Sequence, residues 1–522
     1  MQKSYTKNYF KIYAAQLFAV VFNVLSLVIV IPYLSNNSKV YGIYSLCVSF
    51  TMFLSYADLG FLNAGYKYAS EYYAKGNKQK EIEITGFISF ILTAFVLIFA
   101  VVLISLAFHP YWLIKNISDE KDLYIARNLL LILALFSPNM ILQRMLQVIY
   151  GIRVHDYILQ TILVVINGLK IASVYFFISG KDYNIVGYFL FCQVITSIGL
   201  ITGALYASKK FSISLKAIAV NIRFSKEIFQ GIRALAFSSL YITIVWILFY
   251  EFDPYVIAKL SGAEAVAFYS IGLTCLAFFR SIFGTLFNPF SARFNHFIAM
   301  NDFPGLANFA KSVMRILLPA VVFPTLSLAL LSKPFVFSWV GNKFDSSVSI
   351  VVFLSLCNIL SFINYPSSIL SLATKKVKVL YIVSTTQLIV YWTGIAYFFP
   401  HYGFIVFAWF ELICFLITGF LYIGFMCRFL QINVFQFIKI IIAPALPAIA
   451  ALILILLFVR NFLPVEKNKL NLLKVVLTGA GATVIATCIY YFTSTVFRNY
   501  INELISKLKQ PLKKLQAKKV LI

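Results

Sequence analysis

Residues 84–108 run ITGFISFILTAFVLIFAVVLISLAF, with no Asp, Glu, Lys or Arg. A helix crosses a hydrocarbon core about 30 Å thick with about 20 predominantly apolar residues. This run exceeds that length and is apolar on every face, whereas the surface helix of a soluble domain carries a polar face. Working outward, the same reading applies to thirteen further stretches, approximately 10–33, 41–64, 125–149, 157–179, 184–207, 233–257, 265–289, 309–331, 347–371, 377–399, 403–427, 436–459 and 473–496. The expected fold is all-α: a polytopic membrane protein of about fourteen transmembrane helices.

Composition agrees. Of 522 residues, 61% are hydrophobic and 12% charged, against about 45–50% and about 25% in soluble domains. Soluble enzymes, disulfide scaffolds and disordered chains are excluded. The seven cysteines lie in or at the ends of apolar segments without a CxxC, and the four histidines are far apart in sequence. No metal site or disulfide framework is expected. The first apolar stretch follows Lys3, Lys7 and Lys11 but is too long for a typical signal peptide and lacks a convincing cleavage site, so it is expected to stay as a helix.

The net charge of +26 comes without any nucleic-acid-binding module and first reports topology. Alternate connections hold about 29 Lys and Arg on the side containing both termini and about 11 on the other, which places both termini in the cytoplasm. The connection 460–474, with Arg460, Lys467, Lys469 and Lys474, is the weakest point of that assignment.

An offset of about 225 residues aligns Tyr44-Ser45 with Tyr269-Ser270, Asn63 with Asn288 and Ala74 with Ala299; Leu34-Ser35 aligns with Leu260-Ser261 after one residue of slip. The expected organisation is a six-helix lobe (1–207), a basic cytoplasmic linker (208–232), a second six-helix lobe (233–428), two further transmembrane helices (429–496) and a basic amphipathic tail (497–522). Parallel repeats of this kind bind substrate between the halves. In the tail, Leu504, Ile505, Leu508, Leu512 and Leu515 recur at helical spacing among Lys507, Lys509, Lys513 and Lys514, which suits an anionic lipid surface or a partner protein.

No catalytic constellation, P-loop or Gly-rich nucleotide fingerprint is present, so the chain is not read as an enzyme and no cofactor is expected. Charge inside spans is the remaining signal, because a Lys, Arg or Asp at a helix centre costs about 2.5–3.5 kcal/mol on insertion scales. Lys170 and Arg280 lie mid-span, each either facing a cavity or held in a structural ion pair. Arg144, after Pro138, is near enough to an interface to snorkel. Such cations suit a phosphate. Among the acids, Glu411 is a coupling-ion carboxylate or the partner of a polar group on a neighbouring helix. Glu251 and Asp253 form an interfacial structural pair or take part in coupling. Asp58 caps or pairs structurally, or serves coupling.

The run Val40-Tyr41-Gly42-Ile43-Tyr44-Ser45, then Asp58-Leu59-Gly60-Phe61, then Tyr72-Tyr73-Ala74-Lys75-Gly76-Asn77 resembles the second-helix signature of the polysaccharide flippases called Wzx-type, in the multidrug/oligosaccharidyl-lipid/polysaccharide exporter superfamily. Phe252-Asp253-Pro254-Tyr255-Val256-Ile257, Ser261 to Ser270, Asn288-Pro289 and Trp339-Val340-Gly341 resemble later stretches of that family, with Ala267 where the family more often has Gly. The resemblance spans most of 10–427.

It implies alternating-access flipping of a polyprenyl-diphosphate-linked oligosaccharide across a bacterial inner membrane for O-antigen or other surface polysaccharide, with polysaccharide polymerase and chain-length proteins as partners. No functional residue carries over by motif. A cation-coupled multidrug antiporter of the same superfamily, a lipid II-type flippase, and a membrane polymerase or glycosyltransferase remain open. The antiporter would favour an acidic cavity, and the enzyme a large outside loop.

Overall fold

The computed structural model describes residues 15–16, 18–19, 22, 25–55, 61–178, 183–374, 377–503 and 505–506. It is built from helices: α1 Leu25–Leu34, α2 Ser38–Ser55, α3 Phe61–Ala74, α4 Lys78–Phe108, α5 Glu120–Phe136, α6 Pro138–Gly151, α7 Asp156–Phe177, α8 Ile185–Phe211, α9 Leu215–Val220, α10 Lys226–Trp246, α11 Asp253–Ser261, α12 Ala263–Ala299, α13 Phe303–Leu330, α14 Ser332–Trp339, α15 Asp345–Leu356, α16 Ser361–Ala373, α17 Val377–Tyr402, α18 Ile405–Leu430, α19 Val434–Phe437, α20 Leu446–Val459, α21 Lys469–Thr493 and α22, residues 495–503. No strand occurs among the described residues. The chain is an all-α polytopic membrane protein.

Nine helices of the described residues are long and apolar enough to cross a membrane, and eleven spans result if each of two bent pairs counts as one. The other three expected spans are present as shorter pieces. Of 10–33, the helix Leu25–Leu34 is described. Of 41–64, α2 and α3 flank residues 56–60, which lie outside the described residues. The stretch 233–257 is α10, a π-helical turn at Ile247–Glu251, and the start of α11.

Both bends have local causes. Pro138 opens α6 and separates it from α5 by 40°, because proline removes a backbone donor. At Cys357–Leu360 the chain turns by 45° without a proline. There Asn358, Ile359 and Ser361 bond to carbonyls three residues back, so a tight 3₁₀-like turn replaces the α ladder.

The repeat is visible in the element boundaries. Helix α2 starts at Ser38 and α3 ends at Ala74, whereas α12 starts at Ala263 and ends at Ala299. Helices α4 and α13 then start at Lys78 and Phe303. All three offsets are 225. The junctions match in detail: Gly76 and Asn301 both adopt positive φ, and Asn77 and Asp302 cap the following helices through their side chains. Glycine reaches φ > 0 without steric cost, and asparagine is among the few other residues that tolerate it.

The chain divides into two compact units, 1–270 and 271–522, with the division inside α12. In unit 1, Leu146, Tyr150, Leu159, Leu200 and Ala204 join α6, α7 and α8, while Ile84, Ile88, Leu92 and Val148 join α4 to α6. The core of unit 2 is aromatic on α12, with Phe283, Phe287 and Phe294 fully buried against Leu306, Val313, Val321 and Phe323 of α13. Leu97, Ile98 and Val101 of α4 point outward, each more than 60% exposed, as expected of a helix whose outer solvent is lipid.

Candidate functional site

Lys170 lies in the last third of α7 and is half-buried. Its neighbour across the helix pair is Cys192 of α8. Beyond it lie Tyr188 and Tyr44, whose ring centroids are 6.3 Å apart, with Phe189 edge-on to Tyr44 at 5.9 Å. Among the described residues no carboxylate oxygen comes within 4.0 Å of Lys170, which takes no part in ion pairs such as Lys39–Asp122, Lys80–Glu83, Lys80–Glu227 and Arg153–Glu81. Arg144, on the adjacent α6, is also half-buried and donates from Nη1 to Gln147 Oε1 at 2.8 Å.

Arg280 belongs to unit 2, near the middle of α12, and is half-buried. The hydroxyl of Tyr365 on α16 donates to its carbonyl at 3.3 Å, and the Tyr365 ring stacks on Phe287 at 5.0 Å. This brings the phenol beside the guanidinium.

Asp253 opens α11 and is fully buried; Tyr269 Oη donates to its Oδ2 at 2.5 Å. Glu251, buried at the end of the π-helical turn, lies near Tyr255, which packs edge-on against Phe50 at 4.5 Å and Phe53 at 4.9 Å. Glu411 of α18 is 1% exposed and lies beside the thiols of Cys357 and Cys414, the former in the tight turn between α15 and α16. Asp58 lies outside the described residues.

Unit 1 also holds polar contacts that have no periodic signal in the sequence. Arg153 Nη2 meets Glu81 Oε1 at 2.6 Å with both side chains buried, and the guanidinium stacks over Tyr73 at 4.7 Å and Phe211 at 5.3 Å. At the other end of α4, Lys39 pairs with Asp122 at 2.5 Å, Ser38 donates to Glu264 at 2.8 Å, and Lys115 Nζ donates to the Leu260 carbonyl at 3.0 Å. Partners this far apart in the chain become recognisable only after the helices have packed.

No group of three or more His, Cys, Asp and Glu among the described residues is arranged to hold a metal ion.

No family model matches the chain, and no curated protein matches it by sequence. Solved structures do. A lipid II flippase MurJ in an inward closed conformation superposes with a TM-score of 0.63 at 17% identity, covering 92% of this chain and 98% of that one. A MOP superfamily transporter from Pyrococcus furiosus, described as having a binding pocket of reverse polarity, gives 0.57 at 14% identity over 81% and 96% of the two chains. The Vibrio cholerae MATE transporter VcmN, in a point-mutant form, gives 0.56 at 15% identity over 83% and 99%. The chain has the membrane fold that these flippase and MATE transporters share.

Proposed function

We propose that the protein is a flippase for a polyprenyl-diphosphate-linked oligosaccharide, working by alternating access in a bacterial inner membrane with both termini cytoplasmic. It would supply surface polysaccharide such as O-antigen, alongside polysaccharide polymerase and chain-length proteins. The observation that carries this reading is Lys170, a half-buried lysine within a membrane helix with no carboxylate in ion-pairing distance among the described residues. Inserting such a charge costs about 2.5–3.5 kcal/mol, and an anionic ligand offsets that cost each time it binds. Lys170 and Arg144 of unit 1, and Arg280 of unit 2, are each candidate partners of the diphosphate, whose own desolvation is unfavourable without cationic partners. A flippase of lipid II among the structural neighbours supports a lipid-linked substrate. Coupling to an ion gradient would run through Glu411, Asp253 and Asp58.

The test is flipping by the purified protein in vesicles. Lys170→Ala and Arg280→Ala should abolish most transport, and Lys170→Arg and Arg280→Lys should retain part of it.

A second reading, a cation-coupled multidrug antiporter, draws on the buried carboxylates Asp253 and Glu411 and on the MATE neighbours. Transport of an organic cation that survives Lys170→Ala and fails in Glu411→Gln would favour it.

A further inference from the structure

The repeat provides two equivalent grooves, one in each unit, and they are filled differently. In unit 1, Tyr68 of α3 and Phe87 and Ile91 of α4 pack against Ile228, Phe229 and Ile232 of α10, and Tyr68 donates to the Gly231 carbonyl at 3.0 Å. The chain itself covers that groove. The positions 225 residues later are Arg293, Ser312 and Ile316. There the floor opens into a cleft of about 660 Å³, bounded on its far side by Val496, Asn499, Tyr500 and Glu503 of α22. All of its lining belongs to unit 2.

The lining is amphipathic in a definite sense. Phe290, Phe309, Val313, Ile316 and Val496 form the apolar floor, and Ser312, Asn499 and Tyr500 supply hydroxyl and amide groups. It contains one cation and one anion, Arg293 and Glu503. The Arg293 guanidinium lies over the Phe309 ring at 5.1 Å, an arrangement that leaves its N–H edge available to an oxyanion. A carboxylate accepts about four hydrogen bonds, so Glu503 can serve an ammonium in addition to other donors. Arg293 lies four residues past the expected apolar stretch 265–289, on the same helix. At 1.5 Å per residue that is about 6 Å beyond its end, toward the lipid headgroups rather than the acyl chains.

We infer that this cleft is a binding site for a phospholipid with a primary-amine headgroup, its phosphate on Arg293 and its ammonium on Glu503, with an acyl chain over Phe290 and Ile316. A fixed cation and a fixed anion in one cleft match a zwitterion. A purely anionic headgroup meets Glu503 unfavourably, and a quaternary ammonium has no N–H to donate to it. The site is separate from the proposed diphosphate residues, and its occupancy does not depend on what the protein transports.

Native mass spectrometry of the purified full chain, incubated with equimolar phosphatidylethanolamine, phosphatidylglycerol and phosphatidylcholine, tests this. Phosphatidylethanolamine should be the dominant adduct. Arg293→Gln and Glu503→Gln should each lower its occupancy by about tenfold, the weight of one charged hydrogen bond. Arg428→Gln, which removes an exposed cation outside the cleft, should leave it unchanged. Equal retention of phosphatidylcholine or phosphatidylglycerol, or full retention of phosphatidylethanolamine by both cleft variants, would overturn the assignment.

Discussion

Tyr269 donates a 2.5 Å hydrogen bond to Asp253, and neither residue has measurable exposure. The bond joins the start of α11 to the second turn of α12 across the sharp corner at Gly262, whose φ of +89° favours glycine. Removing the hydroxyl deprives a buried carboxyl group of a donor, which costs about 1–3 kcal/mol. Tyr269→Phe is therefore expected to lower the thermal unfolding temperature in detergent while leaving the protein in the membrane, as read by a fluorescence melting curve.

If Asp253 and Glu411 serve ion coupling, neutralising them has a different signature. Asp253→Asn and Glu411→Gln should insert and purify normally yet transport poorly under an imposed proton or sodium gradient. Wild-type gradient dependence in both variants would remove these two carboxylates from the mechanism.

The Arg153–Glu81 pair is buried, and breaking a buried pair by deleting one partner costs about 3–5 kcal/mol. Glu81→Gln and Arg153→Met should each destabilise unit 1 strongly. The double variant should be less destabilised than their summed effects, because it leaves no uncompensated charge. A double-mutant cycle of unfolding temperatures measures the difference.

Gly42 of α2 packs against the backbone of Ala263, and a methyl group at Gly42 would overlap the Ala263 carbonyl oxygen. Backbone cannot swing aside as a side chain does, so Gly42→Ala should cost about 1–3 kcal/mol, in the range of overpacked cores. Gly424, with open space around it, is the control: Gly424→Ala should leave the melting temperature unchanged.

Much of the architecture was legible in apolar run length, because a bilayer enforces it: α4, α13, α18 and α21 fall where their long apolar stretches place them. The bend at Pro138 follows from its missing donor. The turn at Cys357–Leu360 had no such sign, since Asn358 is a single polar residue in an apolar run and the break depends on how α15 and α16 pack. Lys170 was legible as a lone mid-span charge, but its surroundings of Cys192, Tyr188 and Tyr44 come from separate parts of the chain. Asp253 was recognisable as a carboxylate near a span end; its full burial against Tyr269 depends on the corner at Gly262, which folds α12 back on α11. The offset of 225 residues was faint in side-chain identities and is sharper in the helix boundaries, where Gly76-Asn77 and Asn301-Asp302 form matching corners.

The central claim is that cationic charge in the membrane segments carries a diphosphate. The direct measurement is flipping of a fluorescent polyprenyl-diphosphate-linked saccharide by purified protein in vesicles, read as the fraction reaching the opposite leaflet. The wild type and Lys170→Arg should flip it, and Lys170→Ala, folded and inserted, should fall to the rate of empty vesicles. Wild-type flipping by Lys170→Ala and Arg280→Ala combined would contradict the account.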